Sequence, residues 1–250
     1  MLLPTEEIIH LAFKHDFANF VANCELDGRV IEALAKPLIG TNKPLVVTSG
    51  SLMVRKLPGD PNPDEPAPED TPLPPVEGHP LRRISENTAL ALASKGVRTS
   101  VVRLAPTVHG PGDRGFIPMI IARSREKGFV PVIGEGKNVW PGVHRDDAAV
   151  LFRLAVESAP AGSMLHGIAE EAVPVLSILE AIATKLGVET KRIAPEDASE
   201  YGILVMFLTA QNPLSSKKTR ELLGWAPKQV GLLEDVQSET YPANMTPGFL

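Results

Sequence analysis

A mixed α/β fold, with a parallel sheet covered by helices on both faces, is what this sequence predicts. Three observations carry that expectation. Short apolar, β-branched runs recur along the chain and lack an alternating polar face, as strands buried on both sides do. Stretches with helical apolar spacing separate those runs over most of the length, the pattern of parallel strands joined by crossover helices. The chain has 250 residues of which 43% are hydrophobic, enough to bury a substantial core.

Taken in order, Glu7 to Phe13 is expected as the first buried strand. Phe17, Val21, Cys24 and Ile31 then recur at helical spacing, predicting a helix over Asp16 to Lys36 with Asp16 as its N-cap. Gly28 inside it is either tolerated or marks a close neighbour. Pro44 to Thr48 reads as a strand ending in Ser49-Gly50-Ser51. Residues 57–80 are rich in proline and acid and lack apolar periodicity, so a long surface loop is expected, or a lid over a pocket. Ser85 to Lys95 is expected as a helix with Ser85 capping it and Gly96 after its end.

Val97 to Leu104 predicts a strand, and Phe116 to Lys127 a helix with Pro118 in its tolerant first turn. Val130 to Ile133 and Val139-Trp140 flank Gly134 to Asn138, which predicts a hairpin. Helices are expected over Asp146 to Ser158, with Asp146 as N-cap, and over Val175 to Leu186. Further helices are expected over Glu200 to Thr209, Ser216 to Leu223 and Leu232 to Thr240, with strands at Ser163 to Ile168 and Lys191 to Ile193.

The net charge is −5, from 30 acids against 25 Lys plus Arg, which gives no general attraction to nucleic acid or to an acidic membrane face. Cys24 is the only cysteine, so no internal disulfide or multi-cysteine metal site can form. The histidines show no metal-ligand spacing, and no metal is expected. The acidic start lacks the flank of a secretory signal and no apolar run is long enough for a span, so a cytoplasmic protein is expected. Gly110-Pro111-Gly112-Asp113-Arg114-Gly115 imitates a dinucleotide loop, but Pro111 removes an amide and Asp113 adds negative charge, so a substrate-side loop is expected instead.

Several segments in order resemble the extended short-chain dehydrogenase/reductases, in particular their NAD-dependent epimerase/dehydratase branch. They are Ile9-His10-Leu11-Ala12, Val46-Val47-Thr48-Ser49-Gly50, the run from Val102 to Gly112, Val143 to Ala149, and Thr219 to Pro227. The resemblance implies an incomplete Rossmann-like doubly wound parallel sheet with a smaller C-terminal substrate subdomain. The first strands and glycine loop of such a family are expected to be missing through N-terminal truncation. Residues 1–168 would form the partial dinucleotide-binding domain, with 109–142 as a substrate-side excursion, and 169–250 the substrate subdomain. NAD or NADP is the implied cofactor, its binding expected to be impaired by the truncation. A small-molecule substrate is the implied partner, and a second copy completing the sheet as a homodimer is a further one.

The family's tyrosine and lysine, four residues apart, would fall on Arg82 and Glu86. Neither can do their work: Arg82 is a permanent cation, and Glu86 would not lower a neighbouring phenol. An Arg82–Glu86 ion pair on a helix surface is the plain expectation. Ser49 and Ser51, at the end of a parallel strand, are the candidates for polarising a substrate oxygen. The resemblance places Leu11 and Ala12 on the cofactor's ribose side and Leu104, Ala105 and Pro106 beside the nicotinamide. It puts His109, Phe116, Trp140 and His144 in substrate-facing loops, with Trp140 serving as pocket wall or core. The expected function is an oxidoreductase of epimerase/dehydratase type on a small alcohol, ketone or sugar-like substrate, impaired in this chain. The alternative is a catalytically silent binding or regulatory protein on the same scaffold.

Overall fold

A computed structural model describes residues 7–73 and 82–245. The chain enters through β1 (Ile8–His10) and α1 (Phe20–Ala35), the helix preceded by a turn of 3-10 helix over Phe17–Asn19. Asp16 caps that turn, its carboxylate accepting from the Ala18 amide at 3.2 Å, as expected. Next come β2 (Pro44–Gly50), a 3-10 turn over Ser51–Val54, the proline-rich loop, α2 (Arg83–Ala93) and β3 (Arg98–Leu104). β4 (Thr107–His109), α3 (Phe116–Lys127), β5 (Val130–Ile133), β6 (Val139–His144), α4 (Arg145–Ser158) and β7 (Ser163–Gly167) follow. The chain continues through β8 (Glu170–Pro174), α5 (Val175–Leu186), β9 (Thr190–Ile193), α6 (Ile203–Thr209), α7 (Lys217–Leu223) and α8 (Leu232–Gln237).

The principal sheet has four parallel strands in the order β1-β2-β3-β7. Because side chains alternate across a strand, neighbours in β2 serve opposite layers. Leu45 and Val47 pack with Ile31 of α1 and Ala89 of α2, whereas Val46 packs with Leu151 of α4 and Trp225. Helices therefore cover both faces, the doubly wound arrangement the sequence predicts. Gly28 is where α1 and α2 touch: a Cβ there would lie 2.7 Å from Ile84 Cγ2.

A second core, around Trp140, Ile117, Ile178 and Leu232, is bounded by a three-stranded sheet β4-β6-β8 and the parallel pair β5-β9. Here the expected hairpin is wrong. β5 pairs with β9, while β6 pairs in parallel with β4 and antiparallel with β8. Both runs are buried almost throughout, so each takes a partner from elsewhere in the chain instead of leaving one edge to the other. β4 and β8 are too short to give a clear sequence signal.

Smaller corrections follow from capping and exposure. β1 stops at His10, because Leu11 and Ala12 turn outward and are exposed. Ser85 lies inside α2, with Arg82 at the cap position, and its hydroxyl is engaged elsewhere. Asp146 is not the cap of α4: His144 is, its Nδ1 accepting from the Asp146 amide at 3.2 Å.

The proline-rich segment is a mostly exposed loop over its described part, residues 57–73, as expected, but one tied to the rest of the chain; the remainder, 74–80, lies outside the described residues. Just before the loop, the Lys56 amide donates to Gln211 O at 2.8 Å, and within it the Ala67 amide donates to Pro213 O at 3.0 Å. Buried Glu69 accepts from both the amide and the hydroxyl of Thr219, at 2.6 and 2.7 Å. Backbone pairing and a buried carboxylate compensate for the missing apolar periodicity.

Candidate active site

Ligands of open parallel sheets lie beyond the carboxyl ends of the strands, and four features meet there. The first is a set of unsatisfied polar groups. Ser49 closes on β3 through its register with Arg103, and Ser51 opens the next turn. They are 2% and 1% exposed, and neither hydroxyl has a hydrogen-bond partner among the described residues. Asn212 reaches over from the segment after α6, its Nδ2 donating to Ser51 O at 3.4 Å and its Oδ1 left without a donor. Buried polar atoms without partners are costly, so these three are candidates to meet water or a ligand oxygen. Asn212 was not anticipated; a lone amide beside Pro213 carries no periodic signal.

The second feature is an ion network around Asp27. Its carboxylate accepts from His10 Nε2 at 2.7 Å, Ser85 Oγ at 2.5 Å and Arg82 Nη1 at 3.1 Å. Burial alone would raise the Asp27 carboxyl, but the hydrogen bonds from His10 and Ser85 and the Arg82 charge outweigh it and hold it below the ordinary value. Arg82 also donates from Nη2 to Thr48 O at 2.8 Å, and its guanidinium carbon lies 3.8 Å from the centre of the Phe13 ring. The expected Arg82–Glu86 pair does not form. Arg82 stands just before α2 and runs back across the strand ends, while Glu86 faces inward and takes Arg103 Nε and Nη2 in a fork, both at 2.9 Å. Asp27 was legible after all: it lies three residues after Cys24 and four before Ile31, an acid on the buried stripe.

The third feature concerns the residues expected in substrate loops. His109 belongs to β4, is 1% exposed, and binds Asp235 through Nδ1 at 2.8 Å. Its ring meets the His144 ring edge-on, with centroids 5.3 Å apart. Trp140 is core, fully buried with Nε1 donating to Phe207 O at 2.8 Å. Phe116 packs on the Phe207 ring at 3.7 Å between centroids. The two histidines thus come together, while Trp140 and Phe116 both contact Phe207 in the second core. The glycine-rich loop beside them is occupied by its own groups: Asp113 accepts from the Gly115 amide and the Tyr241 hydroxyl, and the Gly110 amide donates to that same hydroxyl. Burial raises the carboxyl of Asp113, and burial beside that carboxyl raises the phenol of Tyr241.

The fourth feature is the open apolar backbone. Leu11 is 61% exposed beyond β1, and Leu104-Ala105-Pro106 leads out of β3. Among the described residues no group of three or more His, Cys, Asp or Glu could hold a metal, and no helix is long and apolar enough to cross a membrane.

Parallel strands in this order, covered on both faces and open at their carboxyl ends, define a Rossmann-like α/β protein. The chain belongs to the NAD-dependent epimerase/dehydratase family, whose model matches residues 5–165. An uncharacterised Schizosaccharomyces pombe protein is 42% identical over 238 residues, 94% of this chain and 77% of that one. An uncharacterised Saccharomyces cerevisiae protein is 38% identical over 235 residues, 94% of this chain and 76% of that one. Among solved structures, a dTDP-glucose 4,6-dehydratase from Streptomyces venezuelae with NAD bound has a TM-score of 0.71 at 18% identity, covering 94% of this chain and 72% of that one. MoeE5 in complex with UDP-glucuronic acid and NAD has a TM-score of 0.70 at 20% identity, covering 94% and 78%. At such identities these likenesses fix the fold alone.

Proposed function

We propose that the protein is an NAD- or NADP-dependent oxidoreductase acting on a small alcohol, ketone or sugar-like substrate. The observation that carries this reading is the pair of buried, unpartnered hydroxyls of Ser49 and Ser51 at the carboxyl end of β2. Such hydroxyls can donate to a carbonyl oxygen or hold an alcohol oxygen in place. In this reading Leu11 and Ala12 border the ribose side, and Leu104, Ala105 and Pro106 form the apolar edge beside the nicotinamide. The exposure of Leu11 and the apolar character of both segments suit a flat ring better than solvent. A bound dinucleotide would supply the hydride acceptor. His109 and His144 border the substrate side, while Phe116 and Trp140 back it from the core. The reading divides the chain at residue 168, with the excursion 109–142 serving the substrate half. Its support is the core that Trp140 and Ile117 share with Ile178 and Leu232.

Proton transfer is where this chain departs from its family. Arg82 and Glu86 stand where the tyrosine and lysine would, and each is held in an ion pair. In this reading turnover does not run through the usual phenolate, and slow or absent catalysis is part of the proposal. That same observation favours a second reading, a catalytically silent binding protein on this scaffold. Calorimetric titration of the full chain with NAD(H) and NADP(H) tests the main one. A Kd tighter than about 100 μM, roughly 5.5 kcal/mol, supports it; no dinucleotide binding refutes it. Turnover of an alcohol or ketone panel then separates the enzyme from the silent binder.

A further inference from the structure

We infer that the cavity beyond the Ser51–Val54 turn is a subsite for an anionic group, carboxylate or phosphate, with Arg55 as its main ligand and Lys56 beside it. That the anion is part of a substrate rests on the oxidoreductase reading; the binding itself does not. The cavity holds about 480 Å³, with Arg55 to Asp60 on one wall and Met206, Thr209 and Gln211 on the other. Its walls are fixed to each other. The Lys56 amide donates to Gln211 O at 2.8 Å, and Gln211 Nε2 donates to Pro63 O at 3.0 Å and Asp64 Oδ1 at 2.8 Å.

Arg55 differs from those arginines of this chain that are paired with acids. Arg82, Arg103, Arg123 and Arg153 each contact a carboxylate. Arg55 forms no ion pair among the described residues; its Nη1 reaches only Leu52 O, at 3.4 Å. The acid in the same cavity, Asp60, lies 3.7 Å from Lys56. Lys56 is thus paired with Asp60 and Asp64 is held by Gln211, which leaves Arg55 as the cation of the cavity without an acid partner among the described residues. Leu57, Pro58, Pro63 and Met206 supply exposed apolar surface beside it. A guanidinium with most of its donors unused matches the two oxygens of a carboxylate or phosphate.

The cavity begins just after the Ser51–Val54 turn, although neither serine is one of its lining residues. Ser51 and Arg55 are separated by one turn of 3-10 helix, and at about 2 Å per residue their backbones stand roughly 8 Å apart along it. A sugar-sized molecule with its reacting oxygen near Ser51 and one acidic group near Arg55 fits that span.

The test is calorimetric titration of the full chain, without dinucleotide, with glucose 6-phosphate, glucuronate and neutral glucose. At least one anion should bind with a Kd of about 1 mM or tighter, and glucose about tenfold more weakly or not at all. Arg55→Met should weaken the anion by about tenfold or more, and Arg55→Lys, which keeps charge but loses the fork, by less. Which anion binds tells phosphate from carboxylate. Failure of both anions, or equal binding by Arg55→Met, overturns the subsite. If Arg55→Met does not fold, the Lys variant and loss of wild-type binding as salt rises decide the matter; binding insensitive to both overturns it. Anion binding without dinucleotide binding keeps the subsite and removes the oxidoreductase reading, and the reverse result removes the subsite alone.

Discussion

Replacing Asp27 with alanine should cost this protein more stability than most single changes. The carboxylate is nearly buried and accepts three hydrogen bonds, from His10, Ser85 and Arg82. Its removal leaves the Arg82 cation without its carboxylate, beside a gap bordered by His10 and Ser85, and still in contact with Thr48 O and the Phe13 ring. Breaking a buried ion pair from one side costs about 3–5 kcal/mol. The Arg82 side chain is 12% exposed, so some charge can be rehydrated and the low end, about 3 kcal/mol, is expected. Urea unfolding followed by circular dichroism would read this as a lower midpoint at unchanged slope. The pH dependence sharpens it. The folded-state carboxyl is held below its ordinary value, so its contribution is complete above about pH 4 and is lost as pH falls through the folded value. The gap between wild type and Asp27→Asn should therefore narrow below about pH 4. A loss under about 1 kcal/mol at neutral pH, or a gap that widens on acidification, would refute the network.

Three further outcomes are expected. Glu69→Ala removes the carboxylate that holds Thr219 of α7, so limited proteolysis should cut within 57–73 sooner than in wild type; an unchanged cleavage rate would mean the backbone pairs alone secure the loop. His166 is fully buried, with Nδ1 at 2.8 Å from Ser215 O and Nε2 facing Arg103, and burial holds its pKa below the ordinary value. A base depressed in the folded state is charged first in the unfolded one, so stability should fall as pH drops below about 6.5, and His166→Gln should flatten that slope in thermal melts. Gly28→Ala gains about 1 kcal/mol of helix propensity but places a Cβ 2.7 Å from Ile84 Cγ2, where overpacking costs about 1–3 kcal/mol. The net expectation is a lower urea midpoint, and a more stable alanine variant would show that α1 and α2 have room to part.

What the sequence reveals here depends on whether a residue answers to a local rule. α3 and α5 fall where apolar spacing places them, from Phe116 to Lys127 and from Val175 to Leu186, because each buries one stripe and ends at a glycine with positive φ. The opposite faces of β2 follow from the same kind of pattern. Pairing partners do not: nothing within Val130 to Ile133 says that its neighbour lies some sixty residues on, at Thr190 to Ile193. The loop of 57–73 escapes for a related reason, since backbone ladders and one buried carboxylate leave no periodic trace. The strand-end position of Ser49 and Ser51 was legible in the sequence, whereas the fates of Arg82 and Glu86 were not. Spacing puts those two side chains on one helix face, but stronger partners, Asp27 and Arg103, wait on either side of the helix. An i,i+4 surface pair contributes about 0.3–0.5 kcal/mol, far less than leaving either buried partner uncompensated. The local pair therefore loses to two long-range ones. Ser49, Ser51 and Asn212, together with His109 Nε2, are the buried groups of the candidate site that have an atom without a hydrogen-bond partner among the described residues.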